Sequence, residues 1–301
     1  MNYLVVVAGP TAVGKTSLAI ELAKKFNSEI ISADSRQFYK EITIGTAKPT
    51  IDEMDGVMHH FVNSHSIHED YNAGKFEKDV IELLPKLFAK NQTVFLVGGS
   101  GMYIKAVTEG LDDLPEKNDS IRNKYKEILE KEGIHILQQK LKDLDPEYYL
   151  QIDIFNSQRL IRAIEIIEVS GKTFSQIKIQ NKKKRTFEII KIGINLERKF
   201  LYQRIDNRMD AMLRSGLLKE AKSLFAFKEI NALQTVGYKE IFDFINGIQS
   251  WEETVALLKR NSRRYAKRQL TWFHGDQDYK WFEPNKILDI TAYIQQKQID
   301  Y

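Results

Sequence analysis

The 301-residue sequence contains no cysteine. That excludes disulfides and thiolate metal sites, and it suits a reducing cytoplasm. No apolar run approaches the ~20 residues that a membrane span requires. The N-terminus leads straight into a strand, without a basic segment followed by a cleavable apolar one. A cytoplasmic protein with no membrane partner is therefore expected. Internal repeats and low-complexity segments are also missing. Net charge is only +4, so the distribution of charge carries more information than its sum. The 43% hydrophobic content supports a substantial core, and the length suits a large domain carrying an insertion or a smaller companion.

What is present is concentrated at Gly9-Pro10-Thr11-Ala12-Val13-Gly14-Lys15-Thr16. Before this stretch, Tyr3 to Val7 is apolar and β-branched enough for a core strand. After it, Ser17 to Phe26 has helical periodicity through Leu18, Ala19, Leu22 and Phe26. A glycine-rich turn between a strand and a helix N-terminus aims backbone N–H groups at one point, where they bind phosphate. Lys15 would reach the terminal phosphates, and the Thr16 hydroxyl would help hold Mg²⁺. The pattern is the signature of nucleotide- and ATP-binding loops, and it does not say which phosphate ester is held. It arises by chance about once per hundred chains of this length. The flanking strand and helix make an accident rarer still.

Short β-type runs at Tyr3–Ala8, Glu29–Ser32 and Thr93–Val97 alternate with helical stretches, which predicts a parallel sheet covered by helices. From Ile121 the pattern turns helical through Tyr125, Ile128, Leu129, Ile134, Leu137, Leu141 and Leu144. It breaks at Asp145-Pro146 and resumes through Leu160, Ile161, Ile164 and Ile167, with Gly171 as a C-cap. Phe187 to Ile194 looks like a strand returning to the sheet. The expected organisation is an α/β core of residues 1–118 and 187–301 with a helical insertion at 119–186.

The second strand ends at Asp34-Ser35-Arg36-Gln37. Strand C-termini face the ligand crevice in open parallel sheets, so Asp34 is expected near the phosphate loop. There it would accept a proton or hold Mg²⁺ through water; the plainer alternative is an N-cap. The third strand runs into Gly98-Gly99-Ser100-Gly101, a turn that lets backbone approach a ligand, or one that simply connects tightly to a helix. No acidic residue closes that strand, which counts against an ATPase. His59, His60, His65 and His68 crowd together, but without cysteines or spaced carboxylates they read as cleft or packing residues rather than as a zinc site. Arg159, Arg162, Glu165 and Glu168 read as an exposed helix face. Two basic clusters stand out: Lys259, Arg260, Arg263, Arg264, Lys267 and Arg268, and Lys178 with Lys182 to Arg185. Tyr265, Trp272 and Phe273 interleave with the first, a combination suited to nucleic acid or else to a solvated face.

Taken together, these segments resemble the tRNA dimethylallyltransferases, enzymes that prenylate an adenosine beside the anticodon. The likeness is carried by GPTAVGKT (9–16), ISADSRQFYKEITIGTAKP (31–49), HHF (59–61), LVGGSGMY (96–103), QRLIRAIE (158–165), LQTVGYKE (233–240) and AKRQLTWF (266–273). The resemblance implies a P-loop NTPase-like parallel sheet with a helical insertion that contacts the tRNA anticodon stem-loop. It implies transfer of a dimethylallyl group from dimethylallyl diphosphate to N6 of adenosine 37, releasing diphosphate. Gly9 to Thr16 would then bind the diphosphate of the donor. Lys15, the loop N–H groups and Mg²⁺ at Thr16 would stabilise the leaving group, and Arg208 would clamp it. Asp34 would hydrogen-bond N6 and take its proton. Contacts to tRNA would come from Asp34, Ser35, Arg36, Gln37, Ser100, Gly101, Arg122, Gln158, Arg159, Leu160, Ile161 and Arg162. Further contacts would come from Gln234, Gly237, Tyr238, Lys239, Lys267, Arg268, Gln269 and Trp272. A monomer is expected. Met58, Phe155 and His274 depart from residues common in the family, without touching the implied chemistry.

An adenylate isopentenyltransferase would use the same donor on free AMP, but would need neither the insertion nor the C-terminal basic segment. A small-molecule kinase would share only the loop. A non-catalytic RNA-binding protein would not need Lys15, Thr16 and Asp34 together.

Overall fold

The computed structural model describes residues 1–112, 114–177 and 183–300. Lys178 and Lys182 of the second basic cluster lie outside the described residues. The chain divides into two compact units, one of Met1–Glu109 with Lys184–Tyr301 and the other of Gly110–Lys183. The helical unit thus begins before position 119, where the change of periodicity puts the boundary.

The first unit is built on six parallel strands: β1 (Tyr3–Ala8), β2 (Ile30–Ser32), β3 (His59–His60), β4 (Thr93–Gly98), β5 (Glu188–Ile194) and β6 (Lys280–Phe282). Their order is β3-β2-β4-β1-β5-β6. β1 is central and feeds both faces. Tyr3, Val5 and Val7 join a core with Leu18, Leu22, Ile290 and Ile294. Leu4, Val6 and Ala8 join another with Phe76, Val80, Leu84 and Ile104. A strand covered on both sides has no polar face, so its sequence is a continuous apolar run rather than an alternating one. β3 and β6 escape the sequence reading because they are edge strands of two and three residues with polar or mixed side chains. A third cluster joins Met209 and Met212 of helix Arg198–Arg214 to Tyr238, Ile241 and Leu258 of helices Tyr238–Ile245 and Trp251–His274.

In the second unit, helices Asp119–Glu132, Ile134–Leu144 and Ser157–Ser170 enclose Tyr125, Leu137, Leu141, Leu160 and Ile164. Glu165 overturns the exposed-face reading, because its side chain is 0% exposed. It accepts from Arg122 Nε and Arg162 Nη1 at 2.9 Å each, and from the Asn118 backbone N–H. A carboxylate at such a position is tolerated because its oxygens find charged and backbone donors. Gly171 ends the last helix in the left-handed region at φ 68°. Among the described residues no helix is long and apolar enough to cross a membrane.

Candidate active site

The phosphate loop leaves β1 at Ala8 and enters helix Lys15–Lys25. Gly9 has no room for a side chain, because a Cβ there would lie 2.4 Å from the Ile194 carbonyl of neighbouring β5. Gly14 turns the chain into the helix at φ 106°, a conformation that penalises any Cβ. The loop is held from outside as well as from within. Lys15 Nζ donates to the Pro10 carbonyl at 2.7 Å, and Arg204 Nη1 donates to the Val13 carbonyl at 3.0 Å. Arg208 Nη1 donates to Thr11 Oγ1 at 3.1 Å, while its Nη2 donates to the Thr46 carbonyl at 3.3 Å. Ala12 sits at φ 63°, and Val13 is buried.

β2 delivers Asp34 to the rim of the same pocket. Asp34 Oδ1 accepts from the Arg36 N–H at 3.0 Å, so the side chain shapes the turn that follows it. Gln37 Nε2 points at the carbonyls of Thr46 and Ala47, at 3.3 and 3.4 Å. The second glycine turn lies alongside: Ser100 Oγ accepts from the Ser35 N–H at 2.9 Å. Gly101 lies against the Trp272 indole, where a Cβ would come within 2.2 Å.

One pocket therefore gathers Thr11, Ala12, Lys15, Thr16, Asp34, Arg36, Gln37, Arg208 and Gln269, drawn from distant parts of the sequence. Ser32, Thr46, His59, Thr235, Ser262 and Tyr265 add polar groups to the lining, and one side of the wall is apolar. Ile205, Met209 and Met212 project from the helix that also carries Arg208, and Ala19 and Ile30 line another side. Burial drives the Lys15 ammonium down to about 7, with Asp34 pulling upward and Arg208 pushing further down. Arg208 is lowered by burial and supported by Asp34. Burial raises the Tyr265 phenol to about 12, and the negative charge of Asp34 adds to this. The pocket thus sets Lys15, Arg36 and Arg208 against Asp34, the single carboxylate among its described lining residues. Thr16 and Asp34 bring two hard oxygen donors to it, which fits Mg²⁺ completed by phosphate oxygens and water.

Several residues assigned to tRNA have other surroundings. Leu160 and Ile161 are 0% and 6% exposed, in the core of the helical unit, so their side chains are not free to contact RNA. Arg122 and Arg162 are engaged by Glu165, and Arg162 also donates to the Pro115 carbonyl at 2.7 Å. Tyr238 is 0% exposed and donates its hydroxyl to Glu220 at 2.5 Å. Its ring fills the space beside Gly45. Gly237 is buried and opens helix Tyr238–Ile245 at φ 107°. Gln269 is 7% exposed, with both ends of its amide bonded inside the protein. By contrast Gln158, Arg159, Gln234, Lys239, Lys267, Arg268 and Trp272 are exposed. On helix Trp251–His274, Arg260, Arg264, Lys267 and Arg268 form one solvent-facing stripe. Lys259 and Arg263 are paired with Asp210 and Asp206 instead. The four histidines separate: His59 faces the Val57 carbonyl, His60 pairs with Glu29, His65 stacks on Tyr71 and His68 meets Phe227. Among the described residues no cluster of three or more acidic or histidine side chains could hold a metal.

Three features have places that the sequence does not assign, although Tyr265 reads there as an aromatic interleaved with the basic cluster. Arg204 braces the loop. Tyr265 lines the pocket beside Asp34. Glu220 accepts from the N–H groups of Thr43, Ile44 and Gly45 at 2.8–3.0 Å and so fixes the turn whose Thr46 carbonyl meets Arg208. Helical spacing is the available signal for the apolar wall, since Ile205, Met209 and Met212 share a face with Arg208.

The model of the family described as IPP transferase matches residues 37–276. A tRNA dimethylallyltransferase of Cytophaga hutchinsonii is 51% identical over 98% of this chain and 97% of its own length. Another, from Christiangramia forsetii, is 51% identical over 98% of both. The solved tRNA isopentenylpyrophosphate transferase of Bacillus halodurans superposes with a TM-score of 0.74 at 37% identity, covering 100% of this chain and 98% of that one. A eukaryotic dimethylallyltransferase, solved acting on tRNA, superposes with a TM-score of 0.77 at 27% identity, covering 99% of this chain and 78% of that one. With a family model over most of its length and half its residues shared with such relatives, this chain belongs to the IPP transferase family, the tRNA dimethylallyltransferases.

Proposed function

We propose that the protein transfers a dimethylallyl group from dimethylallyl diphosphate to N6 of adenosine 37 in tRNA. The observation that carries this reading is the convergence of Lys15, Thr16, Arg208 and Asp34 on one pocket that also has an apolar wall. A diphosphate needs cations and backbone N–H groups; a five-carbon chain needs Ile205, Met209 and Met212. Adenine N6 is a weak nucleophile because its lone pair is delocalised into the ring. The reaction therefore needs both stabilisation of the leaving diphosphate and removal of the N6 proton. Lys15, Arg208 and the loop N–H groups meet the charge that develops as the C–O bond of the donor breaks. Asp34 accepts the proton as the C–N bond forms. Bound at Thr16, Mg²⁺ would add Lewis-acid stabilisation of the departing diphosphate.

The acceptor base would leave its stack to enter the pocket, at a cost of a few kcal/mol that is lowest in a single-stranded loop. The exposed stripe of Arg260, Arg264, Lys267 and Arg268 supports binding of the anticodon stem-loop backbone. Tyr265, in the pocket behind it, supplies an aromatic surface for an unstacked base. The same reading has the enzyme acting in the cytoplasm as a monomer.

Asp34→Ala tests the assignment. Transfer of labelled dimethylallyl diphosphate to unmodified tRNA should fall about 10²- to 10⁴-fold, the usual contribution of a general base, while tRNA binding persists. Near wild-type transfer would remove Asp34 from that role. Label entering AMP rather than tRNA in the wild type would reassign the acceptor.

A further inference from the structure

Gln269 occupies a core position of helix Trp251–His274, in register with Ser262, Ala266 and Phe273. A buried amide at such a position is costly unless its carbonyl and its NH₂ are both bonded. Here both bonds leave the helix and end on the two loops that form the pocket. Gln269 Oε1 accepts from the Thr11 N–H of the phosphate loop at 2.9 Å. Gln269 Nε2 donates to the Gly99 carbonyl at 2.9 Å. The glycine at 99 is matched to this contact, because a Cβ there would lie 2.3 Å from Gln269 Nε2. The next residue, Ser100, accepts from the Ser35 N–H at 2.9 Å, and Ser35 follows Asp34 directly. A continuous path thus runs from the diphosphate cradle through one amide to the segment carrying the proposed base. It also commits the Thr11 N–H to the protein, so that donor is not among those offered to phosphate.

We propose that Gln269 is a positioning residue that sets the separation between the diphosphate cradle and Asp34, rather than a tRNA contact. The proposal rests on the functional reading above. Near-attack geometry tolerates little displacement, and a shift of about 1 Å costs on the order of 10²-fold in rate. The amide acts on that spacing because it spans both loops with directional bonds beyond the point where the β1–β4 pairing ends, at Ala8 and Gly98.

Gln269→Glu keeps an acceptor for Thr11 but turns an oxygen toward the Gly99 carbonyl; Gln269→Leu removes both bonds. Both variants should lose about 10- to 100-fold in kcat with the Kd for a tRNA anticodon stem-loop unchanged. Gly99→Ala should lower Tm through its clash. Adding Gln269→Ala should relieve the clash with the amide and recover part of that Tm, yet leave kcat low because the bridge is gone. Wild-type kcat in Gln269→Leu would overturn the proposal, as would recovery of kcat together with Tm in the double variant. Weakened tRNA binding at unchanged kcat would also overturn it, by making Gln269 an acceptor contact. If the leucine variant does not fold, the isosteric glutamate variant decides by the same criteria. Failure of the wild type to modify tRNA at all would instead defeat the functional reading.

Discussion

Lys15 links the charge of the pocket to pH in a measurable way. In the ordinary range of lysine it would be cationic throughout the physiological window, but burial brings it down to about 7. Its hydrogen-bond partner in the pocket is the neutral Pro10 carbonyl, which favours the cation far less than an anion would. A diphosphate in the loop brings at least two negative charges against the ammonium and would raise it back toward the ordinary lysine range. Binding must then take up a proton wherever the free lysine is neutral. With the free value near 7 and the bound value raised well above it, affinity is flat in mild acid and declines as pH rises. Between pH 7 and pH 9 the Kd should weaken about 50-fold, the ratio of 1 + 10² to 1 + 10⁰. The last ionisation of a phosphate ester lies near 6, below this window, so the ligand contributes little of the slope. Calorimetric titration with dimethylallyl diphosphate, repeated in buffers of different ionisation enthalpy, measures both the Kd and the proton uptake. At pH 8.5 uptake should approach one proton. Lys15→Arg, whose guanidinium does not titrate here, should flatten the profile and abolish the uptake. A wild-type Kd unchanged from pH 7 to 9, or the same slope in Lys15→Arg, would refute the argument. The sign for stability is opposite. The unfolded lysine holds its proton up to about 10.5. The depressed value therefore costs the ligand-free fold progressively more as pH falls below that range, and the penalty is complete below about 7.

Replacing Arg260, Arg264, Lys267 and Arg268 one at a time by Ala should weaken tRNA binding and reduce the slope of log K against log salt by about 0.7–0.9 for each phosphate no longer neutralised. At saturating tRNA kcat should hold, and a slope equal to wild type would remove the residue from the interface. Glu220→Gln should cost about 1.5–3 kcal/mol in denaturant unfolding, because a carboxylate that gathers three backbone N–H groups and a tyrosine hydroxyl is replaced by a weaker acceptor. The same variant should raise KM for dimethylallyl diphosphate through the Thr46 contact to Arg208. Glu165→Ala leaves Arg122 and Arg162 without their shared carboxylate. It should cost about 3 kcal/mol, the low end for a broken buried pair, because both arginines retain some contact with water. Unfolding of the full chain that is unchanged by this substitution would show the cluster to be energetically idle.

What is legible in the sequence, and what is not, follows from how local each contact is. β1, the loop and helix Lys15–Lys25 are consecutive, so strand composition, glycine spacing and helical periodicity all speak at once. Asp34 is legible because a strand end has a fixed relation to the crevice of a parallel sheet. Arg208 is not legible from its surroundings and comes only through resemblance, since nothing near it announces that its helix packs against a loop almost two hundred residues earlier. The same distance hides Gln269, where burial and hydrogen bonding, rather than residue type, separate a clasp from an RNA contact. Leu160 and Ile161 show the opposite failure. A motif read as a string assigns them to tRNA, although helical periodicity already places them on the apolar stripe with Ile164. Glu165 breaks that periodicity as a buried carboxylate, and only its three donors explain how the fold accepts it.

The charge balance of the pocket bears on the choice among phosphate-loop chemistries. Lys15 and Arg208 are both lowered by burial, and both are held by neutral oxygens: the carbonyls of Pro10 and Thr46 and the hydroxyl of Thr11. Neutral partners release a cation at little cost, so an incoming anion exchanges carbonyl contacts for charge-assisted ones without breaking an ion pair. Asp34 is the one carboxylate lining the pocket among the described residues, and it acts on both cations through space. β4 ends at Gly98 rather than at a carboxylate, so the usual acidic support for Mg²⁺ in a nucleotide hydrolase is missing from that strand. The apolar wall is Ile205, Met209 and Met212, whose side chains offer no hydrogen-bond donors to a ribose or a base and do offer apolar contact to a short branched chain. A compact diphosphate with a hydrocarbon tail satisfies the cations and the apolar side of the wall together, and leaves Asp34 to the N–H of the acceptor.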